Sequence, residues 1–133
     1  LDALVLCDFA QVRDGLLFVQ SGGLTRLAAA AVPATFNCHV AMLVSLPPDS
    51  ALDAHTVVLR IKHVASATVV ATVNVAIHAI DRPTGLAQGE GRLVPVVVPL
   101  GNVTFPAVGE HDLQVTVDEQ LAGDLSFRVG VRG

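Results

Sequence analysis

Apolar and polar residues alternate at every second position through most of this chain, in short segments that Gly, Pro or acidic turns interrupt before any grows long. A period of two sends successive side chains to opposite faces, so each segment reads as a strand with one face to bury. Ala3, Val5, Cys7 and Phe9 begin the series. Asp14-Gly15 followed by Leu16 to Gln20 closes a first hairpin with the Asp-Gly signature of a tight turn. After Ser21-Gly22-Gly23, Leu24 to Leu27 resumes the extended pattern, and Ala28 to Ala31 ahead of Pro33 is the one stretch that could make a helical turn, though four Ala are too few to hold a helix alone.

The clearest alternation follows. Phe36, Cys38, Val40, Met42 and Val44 share one face, with Asn37, His39, Ala41 and Ser45 on the other, until Pro47-Pro48-Asp49-Ser50 ends the strand. Val57, Leu59 and Ile61 then pair with Val69, Ala71, Val73, Val75 and Ile77 in a hairpin across Ala65 to Thr68. Asp81-Arg82-Pro83-Thr84-Gly85 reads as a turn and Gly89-Glu90-Gly91 as an irregular connection. Leu93 to Leu100 is an edge strand, because Pro95 and Pro99 lack N–H groups on the same side and blunt it against further pairing. A last hairpin joins Leu113, Val115 and Val117 to Leu125, Phe127, Val129 and Val131 across Glu119 to Asp124. About nine short strands with turns at roughly 8 to 12 residue intervals predict an all-β chain, an antiparallel two-sheet β-sandwich of immunoglobulin-like or Greek-key type. Residues 1–133 are expected to form one such domain, and the 52% hydrophobic and 15% charged content excludes a disordered chain.

At this point the sequence resembles a known family. The opening LCDFAQVRDGLLFVQSGGLTRL (6 to 27) and the ending VTFPAVGEHDLQVTVDEQLAGDLSFRV (103 to 129) are similar to small bacterial β-sandwich proteins of unknown function. In these a strand with an Ala/Cys-Asp start runs into a Gly-Lys/Leu-Leu hairpin, and the end reads F-P-x-x-G-x-Y before an acidic turn. The middle of the chain matches by strand pattern alone. His111 stands where the family has Tyr, which removes one core aromatic. The resemblance implies a fold and carries no activity.

Composition narrows function further. The eight basic residues are scattered singly as Arg13, Arg26, Arg60, Lys62, Arg82, Arg92, Arg128 and Arg132, and the net charge is −4, so nucleic acid is not an expected partner. Trp and Tyr are absent, and the five Phe fall at apolar strand positions, so a platform for stacking bases or sugars is hard to build. The best apolar run, Val69 to Ile80, contains Thr72, Asn74 and His78 and falls short of the roughly 18 to 20 residues of a membrane span. A cytoplasmic location is expected, with secretion left open. Cys7 and Cys38 read as reduced core residues, inert because apolar surroundings raise a thiol pKa.

No chemistry-bearing motif emerges. His39, His55, His63, His78 and His111 lack the close spacing of zinc ligands; His39 and His78 fall on polar faces, His55 and His63 near strand ends. Asp49 with Asp53, or Asp118 with Glu119, are acidic loops without a calcium pattern. Ser21, Ser45, Ser50, Ser66 and Ser126 occupy no nucleophile elbow, and the Gly pairs lack phosphate-loop contexts. Asn102-Val103-Thr104 matches a glycosylation acceptor by coincidence. No catalytic, cofactor-binding or metal-binding residue is therefore named. Val70, Ala76, Ile80, Leu93 and Val97 lie opposite the core stripes and require a cover, either loops and the second sheet or a partner subunit. The expected function is a non-enzymatic module for protein–protein interaction, including self-association as a homo-oligomer, with Pro47 to Ala54 and Asp81 to Arg92 as its variable loops. The alternative is a small-ligand or carbohydrate-binding β-sandwich.

Overall fold

A computed structural model describes residues 1–79 and 90–132. The described residues form nine strands and no helix: β1 (Ala3–Arg13), β2 (Leu16–Gly22), β3 (Arg26–Ala29), β4 (His39–Leu46), β5 (His55–His63), β6 (Thr68–Ile77), β7 (Arg92–Pro99), β8 (Gly109–Val117) and β9 (Gln120–Val131). They make two sheets, sheet A in the order β2-β1-β4-β7 and sheet B in the order β3-β9-β8-β5-β6. The turn expected at 81 to 85, with Ile80 and most of the second expected loop, lies outside the described residues.

Sheet B is not purely antiparallel. Ala28 and Ala29, in the one stretch with a helical alternative, belong to β3, which runs parallel to β9 with Ala28 beside Gly130. Four alanines cannot hold a helix alone, whereas the β9 edge offers backbone partners to an extended segment. The last turn is also shorter than expected: Val117 pairs with Gln120, leaving Asp118-Glu119 as a two-residue loop with φ of 49° and 70°. Both residues are in the left-handed region that such a hairpin demands. The Asp14-Gly15 turn has the same form, φ 52° and 73°.

The main core lies between the sheets. Val40, Met42, Val44, Val57, Leu59, Ile61, Leu113 and Val115 are all buried there, as the alternation predicts. Phe36 and Phe105 are core aromatics outside the named strands, Phe105 on an isolated bridge to Ala34. Along β6 the expected face is wrong at one end: Val69 is exposed and Val70 packs on the core, because a bulge opposite Ile61/Lys62 shifts the register. On β7, Pro95 and Pro99 face Leu43 and His39, and the next N–H, that of Leu100, donates to the Cys38 carbonyl at 2.9 Å. The alternate positions thus carry the bonds to β4 and the prolines turn their missing donors outward.

Among the described residues, β1 beyond Cys7 pairs with β2 alone. This two-stranded ribbon folds over the outer face of sheet A, where Ala10 and Leu17 pack on Cys7, Ala41 and Val97 in a second, smaller core. The apolar outer face noted at Val97 is covered by the chain itself.

Candidate functional site

Three places gather polar or exposed apolar groups in ways the linear sequence does not display. The first joins the start of β5 to the β8–β9 turn. His55 and Asp118 are 63 positions apart, yet His55 Nδ1–H donates to Asp118 Oδ2 at 2.5 Å while its Nε2–H donates to the Ser50 carbonyl at 2.8 Å. Both partners are acceptors, so the ring carries two protons and is an imidazolium. The hydrogen bond to Asp118, and next the one to Ser50, hold its pKa above the ordinary 6.5. Asp118 is pinned in turn: Oδ1 accepts the Thr56 N–H at 3.0 Å, and its own N–H donates to the Thr56 carbonyl at 2.9 Å. The Thr56 amide first, and His55 second, keep its carboxyl below the usual 3.8.

This clamp borders a hollow of about 390 Å³ whose walls include Leu46, Ser50, Val117 and Leu121. It reaches the segment 47 to 54 through the Ser50 carbonyl, next to the buried Ala51. With both ring nitrogens donating, His55 has no lone pair to accept a proton, and Asp118 spends its oxygens on Thr56 and His55.

The second place is the other end of β5. His111 is fully buried, stacked on Phe127 at 5.5 Å and edge-on to Phe105 at 5.3 Å. It supplies the aromatic ring that its position in the core requires. Its Nδ1–H donates to the Gly109 carbonyl at 3.0 Å, and Nε2 is buried with no partner. Burial, which outweighs the hydrogen bond to Gly109, and the nearby His63 ring at 5.1 Å depress its pKa below 6.5 and disfavour the charged form. His63 Nε2–H donates to the Val108 carbonyl at 2.9 Å and Nδ1 meets Ser66 Oγ at 2.7 Å, tying the β5–β6 turn to the start of β8.

The third place is the β1–β2 ribbon. Cross-strand pairing puts Phe9, Gln11, Arg13, Leu16, Phe18 and Gln20 on the side away from Ala10 and Leu17. Phe9, Leu16 and Phe18 are 45%, 62% and 47% exposed, with the Arg13 guanidinium 5.9 Å above the Phe18 ring. Phe9 and Phe18 are thus strand residues, as expected, but surface ones.

The remaining candidates are scattered. His39 sits on the outer face of sheet A beside Phe9, bonded to the Asp8 carbonyl, and His78 is exposed just past β6. Cys7 and Cys38 are free and buried in different cores; the Cys7 thiol donates to the His39 carbonyl at 3.4 Å, and burial pushes the Cys38 pKa up to about 11. Asn102 and Thr104 are exposed in the β7–β8 connection. Among the described residues, no three His, Cys, Asp or Glu side chains are grouped to hold a metal ion, and no helix is long and apolar enough to cross a membrane.

Compared with known families, residues 2–130 match the model of a family of unknown function, DUF6941. No curated protein matches the chain.

Proposed function

We propose, from the premise that the chain belongs to the family of unknown function DUF6941, that it is a non-enzymatic β-sandwich module that works by protein–protein interaction and associates with itself. The observation that carries this reading is the ribbon: three large apolar side chains, Phe9, Leu16 and Phe18, stand exposed together on a hairpin whose other side is anchored by Ala10 and Leu17. Exposed aromatic side chains on a preorganised support are what interfaces use, because their ordering entropy is already spent. The non-enzymatic reading is supported by the His55–Asp118 pair, whose proton-accepting sites are occupied by structural hydrogen bonds. The connectivity favours the immunoglobulin-like topology. β1, β4 and β7 stand in the relation of strands A, B and E, and β5, β6, β8 and β9 in that of C, C′, F and G.

Sedimentation velocity over a broad protein concentration range tests the proposal. The expected result is a rise toward dimer mass that disappears in Phe9→Ser/Phe18→Ser, a variant whose circular dichroism remains that of the parent. A parent chain that stays monomeric throughout would remove self-association through the ribbon.

A further inference from the structure

We infer that the outer face of sheet B holds a binding site for a divalent oxyanion, built by Arg26 and Arg128 at the β3–β9 edge. The two arginines are 102 positions apart in sequence, and the parallel register places them directly side by side. Their flanking neighbours Leu27 and Val129 are buried in the main core, so alternation turns both guanidinium groups outward, where both residues are exposed. Backbone bonds fix this edge: Arg128 N–H donates to the Thr25 carbonyl at 2.9 Å and Arg132 N–H to the Ala29 carbonyl at 2.8 Å.

Like charges directly opposite on neighbouring strands repel. A carboxylate between them would offset this, yet among the described residues neither arginine forms an ion pair or a side-chain hydrogen bond. Glu110 stands opposite Arg128 on β8 without reaching ion-pair distance. The juxtaposition therefore leaves two planar donor forks unspent. Beside them a hollow of about 570 Å³ lies over Ala28 and Gly130, and a Cβ on Gly130 would meet nothing within 4 Å. A neighbouring hollow of about 200 Å³ is lined by both arginines, by Thr25 and Ser126, whose hydroxyls extend the donor set, and by Glu110, the one carboxylate on its wall.

Guanidinium forks bind carboxylate and phosphate oxygens in pairs, and two forks side by side match a group with two negative charges. A phosphate monoester and a dicarboxylate share that chemistry. Two guanidinium groups fall far short of the run of phosphate contacts that a nucleic acid needs. It goes beyond the interaction proposed for the ribbon, which lies on the other sheet, and does not depend on it.

Titration of the intact chain with inorganic phosphate, and separately with succinate, followed by heteronuclear NMR against sodium chloride at matched ionic strength, tests the inference. The expected result is saturable shifts at the amides of 25 to 29 and 126 to 132. Affinity should fall about tenfold or more in Arg26→Ala and in Arg128→Ala, the loss expected when charge-assisted donors are removed. It should be kept in Arg60→Ala, an exposed arginine opposite Gln114 and Thr72 on the same sheet. Saturation by phosphate alone identifies a phosphate site, by succinate alone a carboxylate site, and by both a general divalent-oxyanion site. Shifts that only follow ionic strength, or equal losses in Arg60→Ala and Arg26→Ala, would overturn it.

Discussion

The two sheets share one core and treat their outer faces in opposite ways. On sheet A the residues turned away from the core include Val5, Cys7, Ala41 and Val97, and the chain folds its own β1–β2 ribbon across them. Sheet B turns out Lys62, Asp112 and Ser126 in one cross-strand row, and Arg60, Gln114 and Asp124 in the next, and no strand among the described residues covers them. A two-layer sandwich can thus be apolar on three faces, provided the third finds a cover from within the chain. Phe9 and Phe18 of the ribbon remain about half exposed, Phe9 beside His39 of sheet A.

The contrast breaks most directly under a charge. Ala41→Asp would bury a carboxylate between sheet A and the ribbon with no partner, so a loss of about 3–5 kcal/mol is expected. Thr72→Asp, exposed on sheet B and opposite Arg60, should stay within about 0.5 kcal/mol of the parent. Urea midpoints at constant slope measure both. Equal costs would mean that the ribbon does not seal the face it lies on.

A second test sharpens the comparison through pH, because the histidine clamp belongs to sheet B. His55 has a raised folded pKa, so its contribution is complete below 6.5 and is lost as pH rises through the folded value. Asp118 has a lowered one, so its contribution is complete above 3.8 and is lost as pH falls through the folded value. His55→Gln should therefore cost about 1–2 kcal/mol between these two pH values and progressively less on the alkaline side. His111 runs the other way: its depressed pKa means the unfolded chain takes up a proton first, and stability drains as pH falls below 6.5. His111→Phe should flatten that acid slope. Hydrogen exchange should place both responses in β5 and β8, and a response of the same size in β1 and β4 would erase the distinction between the sheets.

Most of the strand pattern was legible because burial on one side imposes a period of two, and Asp14-Gly15 announced its own turn. The errors have local causes. Val69 and Val70 exchanged roles at a bulge, which alternation has no means of signalling. Ala28 and Ala29 obeyed a backbone partner in β9 over their own helical preference, and the Asp118-Glu119 turn formed without Gly because Thr56 braces the aspartate through two hydrogen bonds. The site features were hidden for a different reason. His55 with Asp118, and Arg26 with Arg128, meet through strand pairing at long sequence separation, so no spacing rule could join them. Arginines that look scattered along the chain become neighbours once β3 lies beside β9.

A turn variant separates ribbon from sandwich at smaller cost. Gly15 has φ of 73° with nothing within 4 Å of an added Cβ, so Gly15→Ala meets backbone strain and no clash. About 1 kcal/mol is expected from that strain. It should surface as faster hydrogen exchange in 9 to 19, with β5 and β8 unchanged, since among the described residues the ribbon beyond Cys7 pairs with no third strand.

The smallest effect probes sheet B's open face. If Arg26 and Arg128 repel across an exposed edge where Glu110, opposite Arg128, stays outside ion-pair distance, removing one charge should help the fold. Arg26→Ala is expected to raise stability by a few tenths of a kcal/mol at low ionic strength, the range of exposed cross-strand charge pairs. Salt screens the repulsion, so the gain should vanish as the Debye length shrinks below the interstrand distance. Ala41→Ser, under the ribbon, introduces no charge and should show no such salt dependence. Paired thermal melts at low and high salt decide the matter: a gain that persists in high salt would have its source in packing, and the two outer faces would then differ in cover without differing in electrostatics.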